Sequence, residues 1–343
     1  MMKQKGNTLY LECYSGISGD MTAAALLDLG ATEKNIRETL GKLPLSGYRI
    51  EVSRVREQGL DACDFNVIIE ENQESKKHAE HYGHRTWKEI EQLLDMSELE
   101  PRVLERSKKM FRIVAEAEGK VHGCPPEKVH FHEVGAVDSI VDIVTIAACL
   151  EELHIEKILV SQIWEGQGHV NCQHGILPVP VPAVLEIISK HHLPLKQTGM
   201  KGERVTPTGA AVAALSEGKQ PENFLVKGIG LGAGKRKYPE GSLLRAMLIE
   251  EEPEGNAWLL ESNIDDCAGE VLGRTMECLL AAGAKEVYYT PIYMKKNRPA
   301  YKLSLICEED QIRNLEALLF RETTTIGVRR FRMQREERQR REK

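Results

Sequence analysis

Five side chains able to hold a metal or move a proton fall between Val129 and Ile143, in VHFHEVGAVDSIVDI: His130, His132, Glu133, Asp138 and Asp142. Polar and apolar residues alternate from Val129 to Val134. In an extended segment, His130 and His132 would leave one face and Phe131 and Glu133 the other. From Ala136 to Leu150 the chain is almost wholly apolar and reads as a helix buried on most sides. Its two carboxylates, four residues apart, then share a face. Buried carboxylates are costly unless paired, hydrogen-bonded or bound to a metal. Two arrangements answer that demand. One is a metal or acid/base site at the strand–helix junction. The other is simple pairing with backbone N–H groups, Lys or Arg, with the histidines as satisfied polar groups at a strand end.

Other stretches offer chemistry of their own. The polar tract Glu71 to Arg85, ENQESKKHAEHYGHR, carries His78, His81 and His84 at intervals of three. Such a tract can hold nickel, zinc or copper, or can be a solvated linker without a task. GQGHVNCQHGILPVPVPA, with His169, His174, Pro178, Pro180 and Pro182, reads as a rigid extended loop, which either carries a site or merely crosses to a helix beginning near Ala183. SGISGD, TPTGAA and GIGLGAGKR each suit an anion at a helix start or glycine turn, and each is equally ordinary capping or turn chemistry. Their number in one chain favours an anionic substrate. Near the carboxy end, NIDD places Asn263, Asp265 and Asp266 at a helix start, with Glu270 one turn on, while MKKNRP gathers Lys295, Lys296 and Arg298. Capping accounts for part of the acidic group and a solvated turn for the basic one. Facing each other on one small domain, they would form a triphosphate clamp with a divalent ion.

The elements that must position these groups follow from the pattern. A length of 343 residues allows two or three domains. With 41% hydrophobic and 29% charged residues the composition is that of an ordinary globular protein, and a net charge of -6 argues against a general nucleic-acid binder. The amino terminus, MMKQKGNTLYLE, has no apolar signal core, and no apolar run reaches membrane-spanning length, so a cytoplasmic protein is expected. Eight cysteines occur without a CxxC pair, which excludes a zinc knuckle or thioredoxin motif. The spacing predicts a strand over Thr8 to Tyr14, a helix over Asp20 to Leu29 closed by Gly30, a short helix from Thr32, and strands near Tyr48 to Val55 and Ala62 to Glu70. Two helices separated at Pro101 follow between Thr86 and Gly119, then a strand over Ile158 to Trp164. The expected class is α/β: a mixed α/β amino-terminal domain over 1–70 and 86–250, interrupted by the histidine-bearing linker 71–85, then an α+β domain over 255–343. In that second domain the order strand, helix, strand, strand, helix suggests a ferredoxin-like unit.

Taken in order, YSGISGDM, VHGC before VHFHEVGAVDSIVDI, HGILPVPVPA, VTPTGAA, ESNIDD, TPIYMKKNRP and ETTTIGVR resemble the LarC-type nickel-insertion proteins, from Leu9 to Arg329. The resemblance implies a nickel chelatase, or cyclometallase. It would insert nickel into a pyridinium bisthiocarboxylate mononucleotide with hydrolysis of CTP, assisted by manganese or magnesium, and form a nickel–carbon bond in the nickel-pincer nucleotide used by lactate racemase. By the same resemblance His130, His132 and Glu133 become nickel ligands or acid/base groups, with Asp138, Asp142 and His174 beside them. Asp265 and Asp266 would hold the metal of the nucleotide, and Lys295, Lys296 and Arg298 its phosphates. A homo-oligomer and delivery to a lactate racemase-type apoenzyme are also expected, with no nucleic-acid or membrane partner. A metal-dependent hydrolase of a phosphorylated small molecule and a passive nickel chaperone are the alternatives. Two features depart from the family pattern: the linker is poor in histidine, and after ETTTIGVR comes only RRFRMQREERQRREK. There Phe331 and Met333 alternate with charges, as in a strand still lacking partners, so the nucleotide domain is expected to be incomplete.

Overall fold

The computed structural model describes residues 6–70, 85–131, 137–172, 175–218, 220, 223–251 and 257–333. Met1–Glu251 and Glu252–Lys343 form two compact units. In the first, the elements in chain order are β1 (Asn7–Glu12), α1 (Gly19–Leu29), α2 (Glu33–Leu40), β2 (Tyr48–Glu57), β3 (Leu60–Ile69), α3 (Trp87–Asp95), α4 (Pro101–His122), α5 (Val137–Glu152), β4 (Ile155–Val160), β5 (Ile163–Cys172), β6 (Gly175–Val179), α6 (Pro182–Lys190), β7 (Leu195–Lys201), α7 (Pro207–Ala213), β8 (Phe224–Ala233) and β9 (Leu243–Glu251). Local chemistry sets several of these boundaries. Thr32 caps α2 by accepting from the N–H of Asn35, Thr86 and Glu89 form a capping box on α3, and Gly123, with φ 64°, ends α4 in the left-handed conformation.

Six strands form a mixed sheet in the order β2-β3-β8-β9-β1-β4. β1 runs parallel to β4 and antiparallel to β9, and its Leu9, Tyr10 and Leu11 are all buried, as befits an interior strand. α1 and α5 pack on one another and against the sheet, and α4 packs on α5.

The glycines of GIGLGA serve packing. This run lies in strand β8, directly beneath α1. A Cβ on Gly230 would stand 2.2 Å from the carbonyl oxygen of Ala25, and one on Gly232 would stand 2.0 Å from that of Met21. The missing side chains let the helix backbone settle onto the strand. Asp28 on the helix accepts from the N–H of Leu231 at 2.8 Å, tying the two elements polar to polar.

A second, three-stranded sheet has the order β6-β5-β7. It corrects the expectation of an extended loop over GQGHVNCQHGILPVP: this segment is largely the hairpin of β5 and β6, with His169 opposite Pro178. The proline is tolerated because β6 is an edge strand, where an absent N–H breaks no second ladder.

The second unit contains β10 (Ala257–Ile264), α8 (Gly269–Ala281), β11 (Glu286–Met294), β12 (Arg298–Glu308), α9 (Ile312–Glu322) and β13 (Arg329–Met333). Its strand order, β11-β12-β10-β13, is that of a ferredoxin-like split βαβ. Leu260, Leu272, Leu279, Leu303, Leu305 and Leu315 make its core. The strand expected to lack partners has one: β13 pairs antiparallel with β10, Phe331 facing Leu259 and Met333 facing Ala257. The alternation at Phe331 and Met333 identified a strand correctly, but could not show that β10 offered it a free edge.

Candidate functional site

The described part of the central stretch begins with Val129 and Phe131 buried and His130 exposed between them, so the expected alternation holds to this point. The segment runs antiparallel to the entry of α3: the N–H of Phe131 donates to the carbonyl of Arg85 and that of Trp87 to the carbonyl of Val129. Glu89, at the capping box of α3, is held below the usual carboxylate range chiefly by the hydrogen bonds from Thr86, with His130 nearby a lesser influence. His132, Glu133, His174 and the linker residues His78, His81 and His84 lie outside the described residues.

Asp138 and Asp142 do share a face of α5, and that face meets the amino end of α1. A Cβ on Gly19 would lie 2.7 Å from Oδ2 of Asp142, so the glycine admits the carboxylate. Asp20, one residue on, makes the pair a trio, and its own carboxylate accepts from the Ser18 hydroxyl. Desolvation, then Asp20 and Asp138, push the Asp142 pKa well above the carboxylate range, while Lys235 pulls it down. Asp138 keeps contact with solvent. Its pKa is raised more mildly, by desolvation and by Asp20, against the N–H of Ser139, which donates to Oδ1 at 2.8 Å. This is a place where a proton or a cation is welcome. Among the described residues, however, no three His, Cys, Asp or Glu side chains stand close enough to hold a metal ion by themselves.

Asp20 also lines a polar cavity of about 110 Å³, whose other walls include Arg204, Thr206, Lys235, Arg236 and Tyr238. Glu203 lines this cavity too, and lines an apolar cleft of about 180 Å³ walled by Val121, Val170, Leu177 and Val181, with Cys172 and His122 at its border. Next to Arg204 in the fold, Glu165 on β5 is fully buried. Its Oε1 accepts from the N–H groups of Gly166 (2.7 Å) and Arg204 (2.6 Å), and its Oε2 has no partner. Burial pushes its pKa up to about 7 despite those two donors.

The sign of the resulting pH dependence is fixed. The folded protein holds the Glu165 proton more tightly than the unfolded chain does, so the stability tied to this group falls as pH rises from the ordinary Glu range through about 7, then levels off. The total is roughly 3 kcal/mol. Glu165→Gln, which keeps the accepting oxygen, is expected to flatten the slope of unfolding free energy between about pH 4.5 and 7, measured by urea titration. An unchanged slope would assign the titration to another group.

In the second unit, β10 ends in the NIDD turn and β12 begins at Arg298. Arg298 bonds Asp265 at 3.3 Å, and Asp266 accepts from the Thr324 hydroxyl. Of the expected acidic and basic groups, Asp265 and Arg298 are therefore brought together. Lys295 and Lys296 are exposed on the turn before β12, where Lys296 (φ 64°) and Asn297 (φ 56°) both sit in the left-handed region.

A family model for nickel insertion proteins matches residues 9–343. The chain belongs to the nickel insertion protein family. A relative from Alkaliphilus metalliredigens, named pyridinium-3,5-bisthiocarboxylic acid mononucleotide nickel insertion protein, is 48% identical over 96% of this chain and 85% of its own length. One of the same name from Geobacillus kaustophilus is 41% identical over 94% of this chain and 82% of its own. Among solved structures, the apo form of LarC2, the C-terminal domain of a cyclometallase involved in synthesis of the NPN cofactor of lactate racemase, is 48% identical over 22% of this chain and 52% of that one, with a TM-score of 0.22.

In this nickel insertion protein, the motif-based reading missed Glu165, Glu203, Arg204 and Tyr238, which come together from separate segments. Around them, the three stretches singled out for an anion, SGISGD, TPTGAA and GIGLGAGKR, supply Ser18, Asp20, Thr206, Lys235 and Arg236 to the same polar cavity.

Proposed function

We propose that this chain inserts nickel into pyridinium-3,5-bisthiocarboxylic acid mononucleotide, consuming CTP, to form the nickel-pincer nucleotide of lactate racemase-type enzymes. The observation that carries this reading is 48% identity, along nearly the whole chain, to a protein named for that insertion. His130, His132 and Glu133, with Asp138, Asp142 and His174, are the proposed ligands and acid/base groups. Forming a nickel–carbon bond at the ring requires the ring C–H proton to leave, and the Asp142 carboxylate, whose pKa is raised by desolvation and then by Asp20 and Asp138, is a fitting acceptor.

In the second unit, Asp265 and Asp266 offer the hard oxygen donors suited to manganese or magnesium and would hold the ion that neutralises the CTP phosphates. Lys295, Lys296 and Arg298 would meet those phosphates directly. The decisive experiment incubates purified protein with the mononucleotide, Ni²⁺ and CTP and follows the product by mass spectrometry. A nickel adduct that appears only with CTP is expected. A passive carrier would bind nickel without CTP, and an ordinary hydrolase would yield no adduct; either result would replace this reading.

Lys296→Ala and Arg298→Ala each remove a charge-assisted contact and are expected to weaken CTP binding about tenfold or more, measured by calorimetry. Arg298→Ala also frees Asp265 from its ion pair. Unchanged CTP affinity in both variants would take the nucleotide away from this face.

A further inference from the structure

The polar cavity at the amino end of α1 has a composition that nickel chemistry does not call for. Arg204 is the reason. Its side chain is only 1% exposed, yet the guanidinium is incompletely used: one terminal nitrogen donates to the carbonyl of Gly241 (3.0 Å), the other to Glu240 (2.8 Å), and Nε has no partner. The ring of Tyr238, with the guanidinium carbon 3.5 Å from its centroid, fixes the plane of the fork. Glu240 is half exposed and hinged on a surface turn, so it can be displaced. Lys235 and Arg236 line the same cavity, paired with Asp64 and Glu203. Three cations, one of them buried, planar and short of a partner, converge on a space that holds a few waters. A guanidinium in a fixed plane is suited to bidentate recognition of an oxyanion. Ser18, which caps none of the first N–H groups of α1 and turns its hydroxyl to Asp20, lines the same space.

We propose that this cavity is the seat of the phosphate monoester of the mononucleotide substrate, with Arg204 as its principal contact and Lys235 and Arg236 as supporting charges. Phosphate entering here displaces Glu240 from Arg204 and takes Nε and Nη2 together. The neighbouring cleft, whose walls are largely apolar, then receives the ring. Asp20 belongs to both the phosphate cavity and the acidic trio, which sets the trio beside the bound nucleotide. The inference rests on the proposed function, since that supplies the mononucleotide, but the seat is assigned by Arg204 and its cavity.

The test compares pyridinium-3,5-bisthiocarboxylic acid mononucleotide with its phosphate-free riboside by calorimetry on the full chain. Wild-type protein is expected to bind the mononucleotide at least tenfold more tightly. Inorganic phosphate should compete with it. Arg204→Met should lower mononucleotide affinity to the level of the riboside, leave the riboside unaffected and abolish competition by phosphate. Lys235→Gln, at the surface, should lower mononucleotide affinity severalfold without risk to folding. Both variants should bind CTP as wild type does. If the wild type binds neither compound, the functional reading falls and takes the seat with it. If it prefers the mononucleotide and both variants keep that preference, the seat alone is wrong. A selective loss of CTP affinity would overturn it as well, by giving the cavity to the other nucleotide.

Discussion

Asp142→Asn is expected to lower nickel insertion by on the order of 10²–10⁴-fold, the range for a group that moves a proton in the rate-determining step, and to make the protein more stable. The combination is diagnostic. In the native state the carboxylate faces Asp20 and Asp138 in a desolvated pocket, so its charged form is disfavoured by folding. An amide carries no charge and can donate to either neighbour. Because the folded pKa lies above the unfolded one, the gain from Asn should grow as pH rises from the ordinary Asp range and vanish at acid pH, where both states are protonated in the wild type. Thermal melting at two pH values, alongside the insertion assay, would show it. A carboxylate kept for structure would give the opposite result, with stability lost and insertion reduced only in proportion. His130→Ala and His132→Ala should match Asp142→Asn in lost insertion, whereas replacing His78, His81 and His84 together should at most raise the nickel concentration required.

Gly232→Ala is expected to cost about 4 kcal/mol or more, the range reserved for mutations that force backbone apart. The added methyl would sit 2.0 Å from the carbonyl oxygen of Met21 and 2.6 Å from the N–H nitrogen of Ala25, and both are helix backbone that has no rotamer to adopt. Either α1 lifts from β8 or the strand bows. Gly228→Ala is the control, four residues earlier on the same strand. Its methyl meets nothing nearer than the Cδ1 of Leu29 at 3.5 Å, so stability should change by less than about 1 kcal/mol. Denaturant midpoints of the two variants would decide the matter. Equal effects would mean that α1 does not rest on the strand as described.

These two sites also show what could be read from the chain. Asp138 and Asp142 were legible because helical spacing alone puts them on one face. α1 was legible because Gly30 closes it and Thr32 reopens the next helix. The glycines of β8 were not, because glycine density records that a Cβ is unwelcome without recording whether a ligand or a helix takes its place. The β5–β6 hairpin was hidden by Pro178 and Pro180, which argue against a strand unless it is known to be an edge. The cavity around Arg204 was legible in part, since SGISGD, TPTGAA and GIGLGAGKR were each marked for an anion and all line it, but their convergence and Arg204 itself were not. Its residues come from four segments, and nothing in the sequence distinguishes a buried arginine from an exposed one.

The sheet order β2-β3-β8-β9-β1-β4 bears on how the chain reaches its fold. β1 can meet β4 once residue 160 has emerged, and β2 can meet β3 much earlier, but these two pairs share no edge in the finished sheet. They are joined only when β8 and β9 insert between them, with β9 against β1 and β8 against β3. During synthesis the first two hundred or so residues therefore carry two unfinished sheet edges, and closure depends on a hairpin more than 150 residues beyond β3. Such long-range closure is slow and leaves strand edges exposed meanwhile. Truncations ending before Phe224 should accumulate as insoluble chains, while those ending just after Glu251 should yield a folded first unit.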